Sequence, residues 1–278
     1  MSLSELQRRL ADERPHFSPY FVLGHPTPEL SLELCRQAVA AGATMLELGL
    51  PYGDPVADGP VVARAATQAL ARGVTVADAL GLIRRLRDET DVPVNLLVYG
   101  NLVHRRGWDR FAADAVEAGA SSLLVPDAAP PEGRPLVDAC RRQGLGVVHL
   151  VAPGTDEVRV RELSDSADSF LYLAGVQGVT GPRARLDDRT LAAVERLREL
   201  SPLPACVGFG LKDPEQLAAV FAAGARIAVV GSALLSIVEG HLTSVGDPVD
   251  ETALLTDVTE RIHLLSGAVT PTEELKPC

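Results

Sequence analysis

Several things are scarce in this 278-residue chain, and each scarcity removes a class of function. No apolar run reaches the roughly 18 residues needed to cross a bilayer. The first 15 residues are polar and hold no apolar core of a signal peptide, so the expected location is the cytoplasm. Cysteine occurs four times, at Cys35, Cys140, Cys206 and Cys278, with no CxxC pair and no metal-like cluster. These read as three core thiols and one on the tail. Basic residues are outnumbered, 26 against 37 acids, for a formal net charge of -11. Such a field repels nucleic acid and anionic lipid, which are excluded as partners. It repels a phosphate as well, so any phosphate site must be local and made from backbone N–H groups. Lysine occurs only at Lys212 and Lys276. No linker or low-complexity segment divides residues 1–278, which are expected to form one domain with a frayed tail from about 267.

What is present is a series of short apolar runs. Eight lie at 20–23, 45–50, 94–98, 122–125, 146–151, 170–173, 205–207 and 227–230. They are rich in Val, Leu and Ile and do not alternate with polar residues, as expected of strands covered on both faces. Helical patterns fill the intervals. Thr27-Pro28-Glu29 and Asp213-Pro214-Glu215 each place a capping residue before proline at the first helical position. Residues 191–200 and 216–223 carry apolar side chains at helical spacing. Eight strand–helix units in series predict an α/β fold, a closed (β/α)8 TIM barrel. A leading helix over 3–13 is expected to cover the barrel bottom, and an extra C-terminal helical stretch near 250–265 to pack beside the last helix. The structural rival, an open doubly wound sheet, lacks its GxGxxG after the first strand.

In such barrels the chemistry sits where the strands end and the βα loops begin. The second run ends Met45-Leu46-Glu47-Leu48-Gly49-Leu50. With a period of two, Glu47 shares a face with Met45 and Gly49, assigned here to the barrel interior. Burial there raises a carboxyl pKa toward neutrality, which suits a group that both gives and takes a proton. A structural glutamate satisfied by hydrogen bonds fits the same pattern. The next ten residues, from Pro51 through Asp54 and Asp58 to Pro60, are dense in turn formers and lie over the barrel mouth. Their aspartates could equally make local bonds in a solvated turn.

Three glycine-bearing loops follow the last three runs: Gly178-Val179-Thr180-Gly181, Val207-Gly208-Phe209-Gly210 and Val230-Gly231-Ser232-Ala233. Glycine lets backbone approach an anion closely. Gly231 and Ser232 stand where a strand turns into a helix, so their N–H groups and the helix dipole favour a phosphate. Each loop alone is a weak signal, and together they are a stronger one.

The segment from Leu46 to Pro60 resembles the signature of tryptophan synthase alpha subunits, and the similarity extends from about 19 to 241. The resemblance implies a retro-aldol cleavage of indole-3-glycerol phosphate to indole and glyceraldehyde 3-phosphate, with no metal or organic cofactor. It implies that Glu47 protonates the indole ring at C3 and takes the side-chain hydroxyl proton. Asp58 would accept from the indole N–H, and Tyr172 would stand beside the substrate. Gly181, Gly210, Gly231 and Ser232 would contact the phosphate. Tyr20, Tyr99, Asp127 and Thr180 would belong to the pocket or lid. Asp54 would lie on a loop facing a tryptophan synthase beta subunit, the implied partner in an alpha2-beta2 complex.

The chain departs from the family pattern at several positions. His25 stands where Gly-Asp-Pro is usual, which removes or reverses a charge at the barrel mouth. Gly53 replaces a serine. Val176 and Gln177 replace residues of the lid, and Pro126 precedes Asp127 where a small residue is usual. These changes fit the same chemistry in a stand-alone or specialised-pathway enzyme. Two other readings stay open: a non-catalytic subunit that activates a beta partner, and another phosphate-binding barrel aldolase or isomerase. An imine-forming aldolase would have to use Lys212, since Lys276 lies on the tail.

Overall fold

The computed structural model describes residues 3–174 and 186–268. In chain order its elements are α1 (Leu3–Ala11), β1 (His16–Val22), α2 (Pro28–Ala40), β2 (Leu46–Gly49), α3 (Pro60–Ala71), α4 (Val76–Arg87), β3 (Val94–Leu97), α5 (Gly100–Arg106), α6 (Trp108–Ala118) and β4 (Ser122–Leu124). Then follow α7 (Arg134–Gln143), β5 (Gly146–Val151), α8 (Glu157–Ser166), β6 (Leu171–Leu173), α9 (Asp188–Leu200), β7 (Ala205–Val207), α10 (Pro214–Ala222), β8 (Ile227–Val230), α11 (Ser232–Gly240) and α12 (Glu251–Ser266). The eight strands are parallel, pair in sequence order and close through β1 and β8. This is the (β/α)8 barrel that the apolar runs predict.

Local chemistry sets the helix starts. The Thr27 hydroxyl accepts from Leu30 N at 3.2 Å, and Pro28 supplies the first helical residue of α2. Thr75 and Asp78 form a reciprocal capping box on α4. Asp213 caps α10 through Gln216 N at 3.0 Å, and Asp250 caps α12 through two N–H groups. Each such cap is worth about 1 kcal/mol.

β1 begins four residues before the expected run. Its first half pairs with β8 and its second half with β2, and Pro19 sits where the pairing passes from one neighbour to the other. A proline is tolerable at such a handover, and it hid the strand start in the sequence. α1 covers the barrel bottom as expected. Leu6 and Leu10 are buried, and Gln7 donates to Asp168 O at 2.7 Å near the start of β6. α12 lies against α11, and also against α10 and α2, so it fills the outer ring between those two. Its Leu254, Val258, Ile262 and Leu265 are fully buried at three- and four-residue spacing. The shorter α11 starts directly at the end of β8 and packs on α3. Cys35, Cys140 and Cys206 are buried free thiols, as expected; Cys278 lies outside the described residues.

Candidate active site

Strand register brings the polar residues of the barrel interior into one layer. Tyr20 on β1 is in register with Glu47 on β2, Glu47 with Asn95 on β3, and Asn95 with Ser122 on β4. Because side chains alternate along a strand, residues in register face the same side. The face is the barrel interior, since Tyr172 from β6 reaches across and donates its hydroxyl to Glu47 Oε2 at 3.0 Å. Asn95 Nδ2 donates to Glu47 Oε1 at 2.8 Å.

Glu47 is 1% exposed. Burial is the largest influence on its carboxyl and raises it; the bonds from Asn95 and Tyr172 oppose this, and Asp58 adds a smaller push upward. Desolvation outweighs the two donors, and the carboxyl is pushed up to about 7. Asp58 is half-buried and raised by desolvation to about 6, against a hydrogen bond that favours its charge. That bond is the hydroxyl of Tyr99, which donates to Asp58 Oδ2 at 3.0 Å and accepts from Ala57 N at 3.1 Å. The Asp58 backbone is held in its turn by Pro55 O at 3.0 Å, but its carboxyl is held by a residue 41 positions away. Tyr52 stacks on Tyr99 with ring centroids 5.0 Å apart. Asp58 acts electrostatically on Glu47, as the last of the influences on that carboxyl. Tyr20, fully buried, feels both of them.

Two glycines make room for these rings. A Cβ on Gly49 would lie 2.3 Å from the Tyr20 hydroxyl, and one on Gly208 would lie 1.7 Å from the Tyr172 hydroxyl. Phe209 meets Tyr172 edge-on, with centroids 5.9 Å apart. After β7 the backbone opens at Gly210, whereas Gly231 at the end of β8 lies against the Tyr20 ring. Gly210 has φ +79° and nothing within 4 Å of where a Cβ would stand. Gly231 caps the N-terminus of α11, and exposed Ser232 is its first residue. Among the described residues no group of three or more His, Cys, Asp or Glu is arranged to hold a metal ion.

The residues singled out in the sequence thus fall into three sets. Glu47, Asp58, Tyr20, Tyr99 and Tyr172 converge at the mouth. Gly210, Gly231 and Ser232 border it at the β7 and β8 ends. Thr180 and Gly181, with the lid positions Val176 and Gln177, lie outside the described residues. Asp127 follows β4 and accepts from Gly100 N at 2.8 Å, so it fixes the start of α5. Asp54 is exposed on the loop after β2. His25 is 1% exposed with neither ring nitrogen paired among the described residues, and burial pushes it down to about 4. It is neutral near pH 7, so the departure there removes a charge and does not reverse one. Asn95 and Ser122 were not anticipated. Their signal was a lone polar residue in each of two apolar runs.

Eight parallel strands in sequence order, closed into a barrel with a buried polar cluster at its upper end, place the chain in the class of (β/α)8 barrel proteins. Within that class the chain belongs to the tryptophan synthase alpha chain family, whose model matches residues 6–262. It is 38% identical over 269 residues to the tryptophan synthase alpha chain of Methanothermobacter thermautotrophicus, covering 97% of this chain and 95% of that one. The alpha chain of Synechococcus sp. is 42% identical over 217 residues, 78% of this chain and 81% of the relative. Among solved structures, a chain of the Pyrococcus furiosus tryptophan synthase a2b2 complex superposes with TM-score 0.84 at 26% identity, covering 91% and 98% of the two chains. A chain from Aquifex aeolicus VF5 matches with TM-score 0.84 at 30% identity over 98% of this chain and all of that one. No helix among the described residues is long and apolar enough to cross a membrane.

Proposed function

We propose that this chain is a carbon–carbon lyase of the cytoplasm that cleaves indole-3-glycerol phosphate to indole and glyceraldehyde 3-phosphate, working with a tryptophan synthase beta subunit. The observation that carries the reading is the fully buried Glu47 carboxyl, raised to about 7 beside a second acid that is raised less. Near neutral pH this pair favours one proton on Glu47 and a charge on Asp58.

Each state has a task. Protonated Glu47 gives its proton to indole C3, and the ring becomes an indolenine-like cation. Ionised Asp58 accepts from the ring N–H and stabilises that charge where it develops. The C–C bond then breaks with its electrons flowing into the ring. The side-chain hydroxyl loses its proton to the Glu47 carboxylate, which restores the acid. Protons and electrons balance, and no water is consumed. The phosphate is held by backbone at Gly210 and by the N-terminus of α11 at Gly231 and Ser232, an arrangement that needs no cationic side chain. A purely activating subunit would have no use for a dry carboxyl, which costs stability when charged.

The test is to incubate the purified chain with indole-3-glycerol phosphate, with and without a beta subunit, and follow indole. Release that rises when the beta subunit is added is the expected result. Release of equal speed without it would point to a stand-alone enzyme, and none under either condition would reject the lyase reading.

A further inference from the structure

The steps above leave Asn95 without a part. It is 2% exposed and in register with Glu47 on one side and Ser122 on the other. Its Nδ2 donates to Glu47 Oε1 at 2.8 Å, while its Oδ1 accepts from Ser122 Oγ at 2.8 Å. Ser122 is fully buried, so the hydroxyl has no water to turn to. The carboxylate selects the NH2 end and the serine anchors the oxygen end, so the two bonds together fix the amide. Turned over, the amide would set an acceptor against the Glu47 carboxylate, a costly arrangement in a dry layer. We propose that Asn95, held by Ser122, is a positioning residue for Glu47: it fixes the carboxyl at the floor of the reaction site in the orientation from which it gives its proton and takes it back. The proposal rests on Glu47 being the proton carrier.

The surroundings of Glu47 give this donor its weight. Tyr20 faces it from β1, Asp58 from the loop after β2, Tyr172 from β6 and Cys206 from β7. No cationic group acts on it among the described residues. Burial and Asp58 both favour the protonated form. Only the two hydrogen bonds oppose them, and the one from Asn95 comes from an amide that is itself held in place. Without that bond the carboxylate loses one of its two donors. Its pKa rises, so the carboxyl stays protonated to higher pH and gives its proton to the ring less readily. Loss of a hydrogen bond to a buried charged group corresponds to a rise of about one unit or more.

The experiment is the pH profile of kcat and KM for indole release by the full chain with its beta subunit. Native protein is compared with Asn95→Ala, Ser122→Ala and Ser122→Thr. In Asn95→Ala the alkaline limb of kcat, where Glu47 loses the proton it must give, moves up by about one pH unit, so turnover persists to higher pH while falling at pH 7, with KM little changed. Ser122→Ala moves the limb the same way by less. Ser122→Thr, which keeps the hydroxyl, restores the native midpoint. A loss that is equal at every pH, with the midpoint unmoved in both alanine variants, would overturn the proposal and leave Asn95 a packing residue. If Asn95→Ala does not fold, an unmoved midpoint in Ser122→Ala overturns it alone. Native turnover in Glu47→Gln would instead sink the lyase chemistry itself, so the two failures are distinguishable.

Discussion

Glu47 and Asp58 belong to β2 and the loop after it, and the turns after β7 and β8 lie across β1 from them. On the first side the chemistry is carried by side chains whose charge is tuned by burial and by tyrosine and asparagine donors. On the second the proposed phosphate contacts are backbone, with Gly210 in a left-handed conformation and Gly231 at a helix start. The net charge of -11 explains part of this division. A chain so acidic binds an anion through oriented N–H dipoles more readily than by assembling cations against its own field. The division is not a clean separation, because Gly208 of the β7 end is shaped by Tyr172 of the acid side.

Substitutions on each side should fail differently. The largest effect belongs to Glu47→Gln, which keeps the shape and removes the proton. Indole release should fall about 10³-fold while circular dichroism stays native-like and the melting point does not drop. Gly208→Ala comes next, since its Cβ would overlap the Tyr172 hydroxyl at 1.7 Å. The ring must move off Glu47, so turnover should drop about 10²-fold, with about 1–3 kcal/mol of stability lost to overpacking in a denaturant titration. Gly210→Ala touches only the backbone side. Forcing a side chain into φ +79° costs about 1–2 kcal/mol, and steady-state kinetics should show a KM raised about tenfold with kcat little changed. If Gly210→Ala lowered kcat and left KM alone, the division of labour would be wrong.

The smallest expected effect is on stability against pH. The Glu47 carboxyl is raised from 4.5 to about 7, so the folded state holds this proton more tightly than the unfolded chain does. Between those values the native protein binds more protons than the unfolded one, and its stability falls as pH rises. Asp58, raised from 3.8 to about 6, adds a loss of the same sign over a lower window. In Glu47→Gln the larger part of this loss disappears. The variant should gain on the native protein by on the order of 1–3 kcal/mol between pH 4.5 and 7, read from denaturant midpoints.

The barrel was legible because eight doubly covered strands leave continuous apolar runs that no alternating pattern confuses. The start of β1 was not, because Pro19 and Ser18 interrupt its apolar pattern and its pairing changes partner there. Glu47 stood out as an acid inside a strand, and Asp58 through the resemblance. Asn95 was equally visible as a polar residue in an apolar run, but its meaning depends on register between strands, which one sequence does not contain. The same limit hid the hold of Tyr99 on Asp58 across 41 positions. His25 looked like a surface feature of a loop, and only packing shows it buried and neutral.

The account stands on a dry carboxyl that changes protonation near neutral pH. Carbon-13 NMR of the protein labelled at glutamate carboxyls, titrated from pH 4 to 9 beside Glu47→Gln, observes it directly. One resonance, missing from the variant, should titrate with a midpoint of about 7. If that resonance instead titrates below pH 5 with the exposed glutamates, Glu47 is an ordinary carboxylate and the proposed proton transfer is contradicted.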